Sequence, residues 1–255
     1  MRMKISPLVG MAATLLAHPL SPSHAIEVPA GFAVEFSGCV ETIGVGLVST
    51  ASAQALLPAG FHLAGEGRPV TPMVARTAHC EGITVDGERT KGGSIVQLGV
   101  VIAPPQAGAF IDTYALWYYT TDAKLAHQLR KAGMNAQHVP TIEYDYAPSP
   151  AATQPFSVKV RKPGDPTLSL TGTVAPSPGP AGFFVANWWN LGTGGLLKMT
   201  TTVPSINTGG ANLILSTDAG DALGQLLGGP LAAFAILQQF NTLHAAHMDV
   251  STIVP

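Results

Sequence analysis

The sequence predicts a mostly β protein of the α+β class, one domain with a single mid-chain helix and further helices at its C-terminal end. Three observations carry this. Short apolar segments alternate with polar residues at the two-residue period of half-buried strands. The 28 Gly and 21 Pro fall between those segments as turns rather than gathering into a linker. Helical spacing is confined to one stretch mid-chain and to the end of the sequence. No internal repeat divides the chain, and one domain of its length is ordinary for a β-rich architecture.

The first residues read as a leader rather than as part of the fold. Arg2 and Lys4 precede an apolar run over 7–20, and Ser23-His24-Ala25 supplies a small-x-small cleavage pattern. This three-part order is that of a secretory signal peptide over 1–25, so the mature chain is expected to begin at Ile26 and to be secreted or periplasmic. No later stretch reaches 18 uninterrupted apolar residues, so no membrane association is expected after cleavage. Of 13 basic residues, losing Arg2 and Lys4 leaves 11 against 15 acidic, a net charge of about −4. A chain with that balance has no electrostatic footprint for nucleic acid. With 46% hydrophobic residues it is too apolar for disorder.

Taken in order, Ile43, Val45 and Leu47 alternate with small or polar residues over 41–49, a strand. Leu56-Leu57-Pro58-Ala59-Gly60-Phe61 is a Gly/Pro-bounded insertion. Strands follow at 70–78, 82–86, 94–102 and 110–119, with Asp86-Gly87 as a hairpin turn and Pro104-Pro105 as a stop. A helix over 123–132 is capped by Thr121 or Asp122, carries Arg130 and Lys131 in its last turn and stops at Gly133. Strands resume at 141–146, 156–161, 167–174, 182–189, 195–203 and 211–215. The tail reads as helical: 218–227 stops at Gly228-Gly229, and Pro230 opens a longer helix from 231 to about 247.

Cys39 and Cys80 are the two cysteines. In an exported protein they most simply form one disulfide closing a loop of about 40 residues. The alternative is a nucleophilic Cys80 activated by His79, although neighbours on a strand point to opposite faces.

The Leu-Leu-Pro-x-Gly segment at 56–60, the Cys80-Glu81-bearing strand and the strand ending in Pro-Pro occur in a suggestive order. Tyr118-Tyr119-Thr120-Thr121-Asp122 follows, then the helix ending at Gly133, and later Trp188-Trp189. Together these features resemble the acetoacetate decarboxylase-like fold family across about half of the mature chain. The resemblance implies an antiparallel β-barrel or cone-like domain with helices outside, enclosing an apolar pocket. It also implies a buried lysine acting through a Schiff base, its pKa lowered by desolvation and a neighbouring cation. The adjacent lysines of that pattern have no counterpart here. Arg130-Lys131 ends a helix, and Lys91 sits in a turn.

Among the residues themselves, Lys198 is the lysine best placed for chemistry, on an apolar strand after a double tryptophan. Alternation nonetheless groups it with Thr200 and Thr202, the side that faces water if the sheet is one-sided. Glu41, Arg76, His79 and Glu81 are polar groups on apolar strands that could converge in a pocket or point outward. The candidate catalytic set is therefore Lys198, Glu41, Arg76 and Glu81, with the disulfide at Cys39 and Cys80. Tyr114, Trp117, Tyr118 and Tyr119 read as core. His244 and His247 would share a helix face, but without the Glu of an H-E-x-x-H or a third ligand they do not specify a metal. Gly192-Thr193-Gly194-Gly195 lacks the Lys-Ser/Thr of a phosphate loop, and no Gly-x-Ser-x-Gly occurs. No cofactor is expected. The expected function is a small-molecule-binding protein or lyase-like enzyme taking a small apolar or keto-acid-like ligand. The alternative is a non-catalytic secreted interaction or structural protein with a filled core. The oligomeric state is left open.

Overall fold

The computed structural model describes residues 31–65, 67–106, 111–146, 153–164, 167–176 and 179–253, so the leader expected over 1–25 lies outside the described residues. The elements run β1 (Phe32–Ser49), α1 (Thr50–Gln54), β2 (Val70–Val85), β3 (Glu88–Arg89), β4 (Gly93–Val101), β5 (Ile111–Thr120), α2 (Ala123–Lys131), β6 (Ala136–His138) and β7 (Ile142–Tyr146). They continue with β8 (Gln154–Val160), β9 (Leu168–Ala175), β10 (Gly182–Gly192), β11 (Gly195–Thr217), α3 (Ala222–Leu227), β12 (Leu231–Ala233) and β13 (Leu237–Ile253). The chain is mostly strand, as the alternation predicts.

All the strands belong to one sheet whose main path is β10-β5-β4-β2-β1-β13-β11-β9-β8-β7. β10 also pairs β11, so the hydrogen-bonded path β10-β5-β4-β2-β1-β13-β11 returns to its start. The pairings are antiparallel except β10 with β5 and β5 with β6, which are parallel. Beyond β11 the sheet continues into β9, β8 and β7. Each face carries its own apolar cluster. One joins Val34, Ile83, Ile95, Leu197, Met199 and Met248 with Leu125 and Leu129 of α2. The other joins Met73, Leu98, Trp189, Leu170, Leu213 and Phe240.

α2 forms where its sequence signals place it. Asp122 caps it, accepting from the Leu125 N–H at 2.7 Å, and Leu125, Ala126 and Leu129 are its buried face. The expected second C-terminal helix does not form: residues 231–233 are β12, and 237–253 are β13, paired with β1 on one side and β11 on the other. Pro230 and the alanines favour a helix locally. A strand between two long neighbours gains two hydrogen-bonded ladders and two packed faces, which outweighs propensities of a few tenths of a kcal/mol per residue. His244 and His247 therefore sit on a strand rather than on a shared helix face. The expected 195–203 and 211–215 strands are one continuous β11, and 70–78 with 82–86 are one continuous β2. α1 and β6 are additional short elements.

Candidate functional site

Which way Glu41 points is set by a change in the alternation at the level of Gly38. Phe32, Val34 and Phe36 face the first cluster at even positions, whereas Cys39, Ile43 and Val45 face it at odd ones. Gly38, at φ +57, and the residues opposite it, His244 and Glu81, are passed over in the pairings while the register on either side is kept, so the alternation changes phase on β1, β13 and β2 at the same level. This change of phase turns Glu41 inward. On β2, Arg76 shares its face with Val74 and so meets the carboxylate. The Arg76 Nε donates to Glu41 Oε2 at 2.5 Å, and its Nη1 donates to Gln97 Oε1 at 2.6 Å. Asn241 Nδ2 completes the carboxylate from β13, 3.1 Å from Glu41 Oε1. Glu41 is 2% exposed and Gln97 1%.

The strand register extends this polar belt across the sheet. Glu41 pairs Asn241, Arg76 pairs Gln97, and Gln97 pairs Tyr118. Burial pushes the Tyr118 phenol well above its usual range, with the Arg76 charge pulling the other way.

The belt closes one end of a cavity of about 360 Å³. Every strand of the returning path contributes: Glu41, Ile43 and Val45 of β1, Val74 and Arg76 of β2, Val101 of β4 and Thr113 of β5. Opposite them stand Phe184, Ala186 and Trp188 of β10, Thr201 and Val203 of β11, and Leu237 and Gln239 of β13. Ile111 and Ile236 line the far end and are half exposed, so this end is the mouth. Toward α2 the interior is filled by the first cluster. Gly99 permits the close packing of the wall, because a Cβ there would lie 2.2 Å from the Tyr114 carbonyl oxygen and 2.9 Å from Trp188 Cζ3. The parallel β5–β10 seam is pinned from outside the cavity. Asp112 Oδ1 accepts from Trp189 Nε1 at 2.7 Å and Asn187 Nδ2 at 3.0 Å, and Thr200 Oγ1 donates to Asn187 Oδ1 at 2.9 Å.

Of the four residues expected to carry chemistry, the structure brings Glu41 and Arg76 into contact and places the other two elsewhere. Lys198 pairs Trp189 across β10 and β11, and its Nζ lies 5.2 Å from that ring's centroid. It belongs to the face opposite Thr201 and Val203. Glu81 lies opposite Gly38, where the alternation changes phase on both strands, and borders a separate groove of about 530 Å³ with His79, Tyr146 and His244. Cys39 and Cys80 stand directly opposite one another and are joined as a disulfide, which removes the nucleophilic reading of Cys80. His247 donates or accepts at Glu35 (2.5 Å) and Asp249 (2.9 Å). Among the described residues no group of three or more His, Cys, Asp or Glu is arranged to hold a metal.

Gln97 and Asn241 were not singled out by the sequence, and Trp188 entered only through the resemblance, not as a wall of the site. Gln97 carried a usable signal, a lone amide inside the apolar run Ile95-Val96-Gln97-Leu98. Asn241 carried none while its segment read as helix.

The sequence matches no family model and none of the curated proteins. Solved structures do match. The enduracididine biosynthesis enzyme MppR complexed with pyruvate superposes with a TM-score of 0.58 at 13% identity, covering 94% of this chain and 96% of that one. A structure of acetoacetate decarboxylase gives 0.58 at 8% identity over 87% and 89% of the two chains. An acetoacetate decarboxylase-like enzyme from Sphingomonas wittichii RW1 gives 0.52 at 12% identity over 95% and 97%. The fold is the acetoacetate decarboxylase-like fold. Within it, the lysine implied by the resemblance has no counterpart at the cavity, since no lysine is among the described residues that line it. The acetoacetate decarboxylase-like fold here presents an arginine–glutamate pair held by two amides.

Proposed function

We propose that this protein binds, in a lyase-like enzyme of the acetoacetate decarboxylase-like fold, a small apolar or keto-acid-like molecule within a closed β-barrel. The returning path of seven paired strands is read as that barrel, with α2 across one end. The observation that carries the reading is the Glu41–Arg76 pair at the inner end of an otherwise apolar cavity. Apolar walls with a few convergent polar groups are the usual make-up of a small-ligand site, and a filled core would lack the space.

The chemistry is assigned to the pair rather than to an amine. Arg76 has five N–H donors, and the bonds to Glu41 and Gln97 use two. A further donor can hold a ligand carbonyl oxygen and the negative charge that builds there as an adjacent bond breaks. Glu41, 2.5 Å from that guanidinium, is placed to take or return the proton. In a retro-aldol cleavage it would remove the hydroxyl proton, the carbon–carbon bond would break, and its electron pair would enter the enolate held by Arg76. Export is part of the same proposal: a leader over 1–25 delivers the chain to an oxidising compartment, which the disulfide supports.

The test is a panel of short ketones, hydroxyketones and keto acids followed by NMR for binding and turnover, on the wild type and on Ala186→Phe, which fills the cavity. Binding that weakens at least tenfold in the filled variant, with secondary structure unchanged, supports the reading. Equal binding by both proteins would place the ligand elsewhere and refute it.

A further inference from the structure

The ligand's charge can be read from the site. We infer that the cavity selects a neutral, mainly hydrocarbon carbonyl compound over the matching keto acid; this rests on the cavity being the binding site, as proposed above. Among the described residues, the charges that border the cavity are one cation and one anion, Arg76 and Glu41, already 2.5 Å apart. Their side chains keep only 14% and 3% of their exposure, so the pair is compensated internally rather than by water. Gln97 and Asn241 bond the pair from its two ends and are themselves neutral. The other polar lining groups, Thr113, Thr201 and Gln239, add no charge.

A ligand carboxylate entering this end has two options, both unfavourable. It can sit beside the intact pair as a third, uncompensated charge in an apolar enclosure. Otherwise it can take Arg76 from Glu41, which leaves a nearly fully buried carboxylate holding only Asn241. A neutral carbonyl oxygen needs neither, because it accepts one remaining Arg76 N–H while the pair stays closed. Size and wall chemistry agree. A space of about 360 Å³ exceeds what a three-carbon acid occupies, and it runs along Val45, Val74 and Phe184 to the half-exposed Ile111 and Ile236. An alkyl chain lies along that path with its carbonyl at the polar end.

The experiment compares 2-octanone with 2-oxooctanoate, matched in chain length and differing in the carboxylate. Binding to the full, disulfide-bonded protein at pH 7 is followed by calorimetry and by tryptophan fluorescence, Trp188 being in the wall. The expected result is that the ketone binds at least tenfold more tightly. In Glu41→Gln the arginine loses its counter-ion, so 2-oxooctanoate should gain at least tenfold and the preference should reverse. A wild type that prefers the oxo acid overturns the inference while leaving the cavity as the site, and so does a folded Glu41→Gln with no gain for the acid. The wild-type comparison stands alone if that variant does not fold. If neither probe binds either protein, the cavity reading itself fails.

Discussion

Replacing Arg76 with Met removes the cation beside Glu41 while keeping a long apolar stem. Glu41 is 2% exposed, and of its two partners only Asn241, 3.1 Å away, remains. Removing one member of a buried ion pair generally costs about 3–5 kcal/mol. The lower end applies here, because the Arg76 side chain keeps 14% of its exposure and Asn241 still bonds the carboxylate. A loss of about 3 kcal/mol corresponds to a fall in Tm of about 6–12 °C at this chain length. Replacing both residues, Glu41→Leu with Arg76→Met, removes the unpaired charge and should return stability to within about 1–2 kcal/mol of wild type. The measurement is a double-mutant cycle by guanidinium denaturation with the disulfide intact. If Arg76→Met alone costs less than about 1 kcal/mol, or if the two losses simply add, the pair is not the buried, mutually compensated unit described above.

Other expected outcomes follow from the same structure. Cys39 and Cys80 are 41 positions apart, so reduction should cost about 4 kcal/mol in the chain-entropy model, and thiol alkylation should require reductant; two alkylations of the unreduced protein would contradict the bond. Gly99→Ala drives a Cβ against the Tyr114 carbonyl oxygen and Trp188, and should destabilise by about 3 kcal/mol with altered tryptophan fluorescence; a neutral result would mean β4 and β5 can separate freely. Hydrogen bonds to Asp249 and then Glu35 raise the His247 pKa above its usual 6.5. Folding thus favours the protonated ring, so this contribution is full below pH 6.5 and is lost as pH rises through the raised folded value. His247→Gln should flatten that part of the stability profile, and an unchanged slope in urea titrations across pH would assign it to another group.

Much of the architecture was legible because it is local. α2 is written in Asp122, its spaced leucines and Gly133, and the strands in alternation. The disulfide followed from cysteine number and the expected compartment. What failed was long-range. The segment after Pro230 has the local marks of a helix, and only the presence of β1 and β11 on either side makes it a strand. The site was half legible for the same reason. Glu41 and Arg76 stand out as charges on apolar strands, but grouping them with Glu81 ignored the change of phase at Gly38. Asn241 reaches Glu41 across 200 positions of sequence, a contact no window along the chain contains. Lys198 drew attention as a lysine among apolar neighbours, and alternation had already marked the opposite face.

The pairing of β1 with β13 also sets when the cavity can exist. Phe32 is opposite Val250, and Val45 opposite Leu237, so the first described strand finds one of its two neighbours only when nearly all of the chain is present. A chain ending before Leu237 would leave Glu41 without its Asn241 partner and the cavity without one wall. Contacts this distant in sequence are closed late, after the β1–β2–β4–β5 ladders whose members are close neighbours. The cavity is therefore the last feature the folding chain completes, and C-terminal truncation should abolish it.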